Sequence, residues 1–237
     1  MSIATPTEPK TVVEPGPPRV EPKIGEQRFV IYNLGWAGYE KLLDLFGDHG
    51  PRMNYSGGSV ELMSPLIRHE RNGKLIGFMI ETIVEELDIP ANALGSTTFR
   101  RRLADRGLEA DECYYLANAG KLTTVDRPDL DVDPPPDLAI EIEITNSLLD
   151  KLGIYAGIGV PELWRFDGTV LSVLLLQPDR TYAKSEVSRS FPFLPMAELV
   201  RFLGEYDHSD ETGWRRRFRT WTRDVLLPIH RAAQATD

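Results

Sequence analysis

The sequence predicts an α/β protein, and three observations carry that prediction. Apolar residues recur at helical spacing in two stretches before residue 90 and in two more near the C-terminus. Between them lie short runs rich in Val, Ile, Leu and aromatic residues, bounded by Gly, Pro and Asp, as strands require. The 237 residues are 41% hydrophobic and 27% charged, the balance of a globular chain able to bury a substantial core.

Residues 1–26 hold Pro6, Pro9, Pro15, Pro17, Pro18 and Pro22 with scattered charge, which predicts an extended, poorly ordered arm. Residues 27–237 are read as one domain. Leu34, Tyr39, Leu42, Leu43 and Phe46 mark a first helix, with Gly47 placed to end it. Ser59 to Met63 reads as a strand entered from a Gly57-Gly58 turn. Ser64-Pro65 introduces a longer helix whose stripe is His69, Gly73, Ile76, Ile80, Ile83 and Leu87, ending at Pro90.

Strands are expected at Ser96 to Arg101 and Ala110 to Leu116, then a loop rich in Asp and Pro from Lys121 to Pro136. The run "PPPDLAIEIEITNSLLDK" follows as a further strand. Ser147 to Asp150 has the form of a capping-box variant, so a helix is predicted from Leu148 to about Ala156, closed by Gly157 or Gly159. Leu163 to Phe166 and Val170 to Leu176 form a hairpin around Asp167-Gly168, and Met196 to Leu203 and Trp214 to Leu227 form two helices.

Composition narrows the function. With 27 basic and 36 acidic residues the formal charge is −9, so a polyanion would have to bind through a local basic surface. The single Cys113 excludes an internal disulfide framework and a thiol-based zinc cluster. No secretory signal or bilayer-spanning run is evident, and a cytoplasmic location is expected.

The chemistry concentrates in the strand that follows Pro136. Side chains alternate, so Leu138, Ile140, Ile142 and Ile144 line one face, and Asp137, Ala139, Glu141, Glu143 and Thr145 the other. Glu141 and Glu143 stand about 7 Å apart along the strand, near enough to share an ion, whereas Asp137 is about 13 Å from Glu141. Acids this close need a positive partner. Lys151, in the first turn of the next helix, can return its ammonium to them, and a hard ion such as Mg²⁺ suits oxygen ligands without a His or Cys cluster. The plainer reading is a strand with one solvated face and a surface lysine. Against it stand Asp111 on a neighbouring strand candidate and Glu70 beside the stripe of the long helix.

The stretches "VELMSPLIRHE", "GLEADECYYL", "PPDLAIEIEITNSLLDKLGIYAGIGVPELWRFDG" and "FPFLPMAEL" resemble the Uma-two family of restriction endonucleases, within the PD-(D/E)XK nuclease superfamily. The resemblance implies a restriction-endonuclease-like fold with a mixed central sheet flanked by helices, and Mg²⁺-dependent phosphodiester hydrolysis, with Mn²⁺ able to substitute. By motif position, Asp111 takes the place of the first aspartate, Glu141 that of the second acid, and Lys151 that of a lysine moved onto the helix. Glu70 matches the helix acid; Glu143 is either an extra metal ligand or a polar bystander. Three positions depart from the pattern: Ala110 for a proline, Asn146 for a small serine, and Glu143 for a lysine. The partner implied is nucleic acid, DNA in the first instance, and a homodimer would suit a double-strand cutter.

Arg100, Arg101 and Arg102, with Arg106, are the candidate nucleic-acid contacts. A second cluster at Arg215, Arg216, Arg217, Arg219 and Arg223 is interleaved with Trp214, Phe218 and Trp221. It reads as an amphipathic helix with buried aromatics and salt-bridged arginines before it reads as a stacking platform. Two other readings stay open: a catalytically inactive binding or scaffold protein on the same fold, and a carboxylate-pair hydrolase acting on sugars.

Overall fold

A computed structural model describes residues 26–47, 50–122 and 128–235. The predicted N-terminal arm, apart from Glu26, and part of the Lys121 to Pro136 loop lie outside the described residues.

The described residues form two sheets. The first contains β1 (Gln27–Ile31), β2 (Arg52–Ser56), β3 (Ser59–Ser64), β5 (Thr98–Arg101) and β6 (Arg106–Glu109) in the antiparallel order β1-β3-β2-β6-β5. The second contains β4 (Asn92–Ala93), β7 (Glu112–Tyr115), β8 (Leu138–Ile142), β9 (Glu162–Phe166), β10 (Leu171–Leu176) and β11 (Tyr182–Ser185) in the order β11-β10-β9-β8-β7-β4. Only β8 and β9 pair in parallel, so this sheet is mixed. Helices are α1 (Gly35–Phe46), α2 (Ile67–Glu86), α3 (Lys151–Ile158), α4 (Met196–Gly204), α5 (Glu211–Trp221) and α6 (Leu227–Gln234), the last two joined by one wide π turn, Thr222–Leu226.

The mixed α/β class is the expected one. Gly57 and Gly58, with φ of 53° and 86°, make the two-residue turn that joins β2 to β3, a conformation costly for other residues. The α2 stripe packs as predicted, with His69, Gly73, Ile76, Ile80 and Ile83 all buried. That stripe, α4 and α5 cover one face of the mixed sheet, against Leu138, Ile140, Ile142, Trp164 and Phe166. On the other face α3 lies between the two sheets, where Ile154, Tyr155 and Ile158 meet Phe99 and Leu108 of the first and Cys113, Ala139 and Leu163 of the second.

This layering corrects the plainer reading of β8. The alternation is real, but α3 and the first sheet cover the acidic face, so all five residues of β8 are buried. The predicted start of α3 is also corrected. The helix begins at Lys151, and Asp150 rather than Ser147 caps it, its Oδ1 accepting from Gly153 N–H at 3.0 Å. Ser147 and the Leu148 N–H are drawn instead to Glu61, which ends any helical pairing there. Finally, the expected Ala110 to Leu116 strand is shortened to Glu112–Tyr115, and a strand that was not expected, Arg106–Glu109, precedes it. Arg106–Glu109 belongs to the first sheet and Glu112–Tyr115 to the second, with Ala110 and Asp111 at the crossing.

Candidate active site

That crossing positions the first acid. Glu112, the first residue of β7, pairs with Ile140, and just before it, off the ladder register, Asp111 N–H donates to Ile140 O at 3.3 Å. Asp111 is thus held at the end of β7, beside β8, the strand that carries Glu141. Both are buried, at 5% and 2% exposure.

A buried carboxylate must be neutralised and bonded. Glu141 accepts from the Lys151 ammonium through Oε1 and from Tyr155 OH through Oε2 at 2.9 Å. The one-turn spacing of Lys151 and Tyr155 on α3 sets both donors over the same acid. Burial and the Glu141 charge together push the Tyr155 hydroxyl well above the ordinary tyrosine range, so it stays a donor. Asp111 accepts through Oδ2 from Ile142 N–H at 2.6 Å and is ion-paired through Oδ1 with Arg52 of β2.

Arg52 is one of the residues that sequence reasoning missed. Besides Asp111, its guanidinium reaches Glu70 at 2.8 Å and Glu109 at 3.8 Å. His69 is more than one apolar-facing member of the α2 stripe. Its ring is 1% exposed, with Nε2 3.6 Å from Asp111 and Nδ1 3.9 Å from Glu70, and neither nitrogen has a hydrogen-bond partner among the described residues. Burial, helped by Arg52, holds this imidazole below its usual value and so neutral near pH 7. Glu109 is shifted upward, chiefly by burial and against the pull of Arg52.

The connection that delivers Lys151 is held by a second buried acid. Glu61 of β3 accepts from Leu148 N–H at 2.7 Å, Ser147 Oγ at 2.7 Å, Asn54 at 2.9 Å and Arg28 at 3.3 Å. Burial alone would raise its pKa, but these donors outweigh it and the value is lowered. Arg28 also binds Thr145 O, so β1 and β3 together fix the segment between β8 and α3.

Glu143 stands apart from Asp111, its carboxylate 2.5 Å from Arg165 Nε. It shares a cavity of about 160 Å³ with Glu141, Lys151 and Tyr155. Asp137 binds the Leu116 and Asn118 backbone and takes no part in the site. Of the arginine candidates, Arg100 lines a cavity of about 310 Å³ with Glu109, and Arg102 is exposed. Arg101 instead donates to the Gly157 and Ile158 carbonyls at the end of α3, both at 3.4 Å. On α5, Trp214 and Phe218 are buried while Arg215, Arg217 and Arg219 are salt-bridged to Glu211, Asp210, Glu85 and Glu86.

The donor set has the chemistry of a hard divalent ion, because it offers carboxylates and one imidazole and no thiolate. Asp111, Glu70 and Glu109 already surround one cationic group, Arg52. Among the described residues, no group of three or more His, Cys, Asp or Glu side chains is placed to hold a metal ion.

Asp111 and Glu141 are both buried on neighbouring parts of the mixed sheet but line different cavities, Asp111 with Arg52, His69 and Glu70, and Glu141 with Lys151, Tyr155 and Glu143. The chain belongs to the Uma2 family, described as "Putative restriction endonuclease", which matches residues 36–204. Among solved structures it is similar to "a putative nuclease belonging to DUF820" from Anabaena variabilis, at 14% identity, covering 65% of this chain and 92% of that one with a TM-score of 0.47. No curated protein matches. Among the described residues, no helix is long and apolar enough to cross a membrane.

Proposed function

We propose that the protein is a divalent-metal-dependent nuclease that hydrolyses phosphodiester bonds of DNA, with Mg²⁺ as the ion and Mn²⁺ able to replace it. The observation that carries this reading is Lys151 held on Glu141 inside the fold, on the strand next to Asp111. Asp111 and Glu141 would be the residues to hold the ion, with Glu70, which shares Arg52 with Asp111, as a further acid. When bound, Mg²⁺ would supply Lewis acidity for the scissile phosphate and a water acidic enough to yield hydroxide near neutral pH.

The protein's own groups account for the rest. As an ammonium, Lys151 has donors and no lone pair, so its role is to orient the attacking water and neutralise charge building on the phosphate oxygens. Tyr155 fixes Glu141, and Glu141 in turn fixes Lys151, which confines the ammonium to one position and lowers the entropic cost of reaching the transition state. Glu61 holds the connection behind Lys151. Arg100 and Arg102 contribute positive charge for the phosphate backbone.

A non-catalytic binding protein is the second reading, favoured by the engagement of Asp111 by Arg52 and the Ile142 N–H. Incubation of the protein with supercoiled plasmid, with single-stranded DNA and with RNA, each with Mg²⁺, with Mn²⁺ and with EDTA, separates the two. Metal-dependent nicking abolished by EDTA supports the nuclease; intact substrates under every condition favour the binding protein.

A further inference from the structure

The cavity of about 310 Å³ that Arg100 shares with Glu109 takes no part in the chemistry assigned to Lys151 and Glu141. Its walls follow from the register of the first sheet. Thr98 pairs with Glu109 and Arg100 with Gly107, so Thr98, Arg100 and Glu109 project from one face of β5 and β6. Met53 of β2 and Leu43 of α1 line the same space. Gly107, opposite Arg100, carries no side chain, and a Cβ there would meet Tyr39 Oη at 2.6 Å, so the tyrosine ring occupies that part of the face.

Size, chemistry and place all point to a ligand. The volume is that of a small-molecule site and about ten times the share of one liquid water. The Arg100 guanidinium makes no hydrogen bond or salt bridge among the described residues, and Glu109 reaches Arg52 only at 3.8 Å. A fork of donors and a carboxylate are therefore available to whatever enters. The Tyr39 hydroxyl, buried within electrostatic range of both, also lacks a hydrogen-bond partner among the described residues, a costly state for a buried polar group. Ser96 lines both this cavity and the smaller one formed by Arg52, His69, Glu70 and Asp111, so a ligand here lies next to a phosphate presented to Asp111.

We propose that this cavity takes one unpaired guanine base of the nucleic-acid strand, with Arg100 donating to O6 and N7 and Glu109 accepting from N1–H and the N2 amino group. The inference rests on the nuclease reading and names the feature of the substrate that is read beside the cleaved bond. A guanidinium bidentate to O6 and N7 is the commonest specific contact to a base, and guanine is the base that offers two adjacent donor groups to a carboxylate. Leu43 and Met53 give the face of the ring an apolar surface. A stacked, paired base has its Watson–Crick edge occupied, so the strand is single or locally opened. This contact adds to the positive charge that Arg100 lends the phosphate backbone.

Fluorescence anisotropy with short labelled single-stranded DNA, all thymine or thymine with one central guanine, tests this on the full chain in EDTA, where metal-dependent cleavage is stopped. The guanine strand is expected to bind about tenfold or more tightly than the thymine strand. 7-Deazaguanine, which lacks the N7 acceptor, and hypoxanthine, which lacks the N2 amino group, are each expected to lose most of that preference with the protein unchanged. Glu109→Gln is expected to bind guanine and hypoxanthine strands alike while keeping its affinity for thymine. Leu43→Trp, which fills the cavity from α1, is expected to abolish the preference and serves if Glu109→Gln does not fold. Equal binding of guanine and thymine strands, a preference that survives both analogues or Leu43→Trp, or absence of binding overturns the base site. Mg²⁺-dependent nicking of plasmid leaves the nuclease reading standing in each of those cases. Guanine preference without cleavage under any condition removes the nuclease reading and leaves the base site.

Discussion

Lys151 and Glu141 form a salt bridge inside the protein, both less than a tenth exposed, across a segment that leaves β8, bends at Ile144 and Thr145 and enters α3. A pair so buried is sustained only by further bonds. Tyr155 supplies one to Glu141, and Glu61 anchors the intervening segment.

Removal of the ammonium should therefore act on both activity and stability. Lys151→Met should reduce metal-dependent cleavage by about 100-fold or more, the effect of deleting one electrostatic interaction with the transition state. It should also destabilise the fold by about 3–5 kcal/mol, because Glu141 is left as an uncompensated buried charge. The double variant Lys151→Met, Glu141→Gln should regain much of that stability in denaturant titration and none of the cleavage. Cleavage by the double variant at the wild-type rate would remove Lys151 from the mechanism.

Tyr155→Phe isolates the second donor on Glu141. Deleting one hydrogen bond to a buried carboxylate should cost about 1–3 kcal/mol in unfolding free energy. Cleavage should fall less than in Lys151→Met, since the ammonium keeps its partner. An unchanged melting curve would show that the hydroxyl contributes nothing to holding the acid.

Glu61 gives the stability curve a defined pH dependence. Its folded pKa lies below the ordinary glutamate value of 4.5, so the folded state binds fewer protons than the unfolded one through that window. The stability it contributes is complete above the unfolded value and disappears as pH falls through the folded one. Glu61→Gln should be less stable at pH 7 and show a shallower decline below about pH 4.5 than wild type. Parallel curves from about pH 7 to about pH 3 would contradict this.

The arginines of the β5 end should separate by role. Arg100→Glu and Arg102→Glu should weaken DNA binding and reduce its dependence on salt by about one unit of slope for each phosphate no longer neutralised. Arg101→Ala should instead lower stability by about 1 kcal/mol, since its guanidinium caps the last carbonyls of α3. Fluorescence anisotropy with a labelled duplex across a salt series, alongside thermal unfolding, reads both effects.

Elements with local periodicity were legible in the sequence. The α2 stripe, the alternation of β8 and the hairpin around Asp167-Gly168 all follow from spacing alone, as does the pairing of buried aromatics with salt-bridged arginines on α5. The strands missed were β1, β2, β4, β6 and β11; β4 has only two residues, and QRFVI, RMNYS, RGLE and YAKS mix charged or polar with apolar groups. The acids and lysine were visible because they crowd into a short stretch or into recognisable motifs. Arg52 and Glu61 were not. Arg52 meets Glu70 across 18 residues and Glu61 meets Leu148 across 87, and no local pattern records that an arginine or a glutamate will be buried. His69 carried the weakest signal of all: a polar residue in an apolar stripe reads as an end of the stripe until the strands packed against it are known.

The most direct measurement is the position of a bound ion. A crystal soaked in Mn²⁺ and measured at an anomalous wavelength should show one peak against the carboxylates of Asp111 and Glu141. A peak confined to Glu143 and Arg165, or no peak at millimolar Mn²⁺ with Arg52 still on Asp111, would contradict the account of this site.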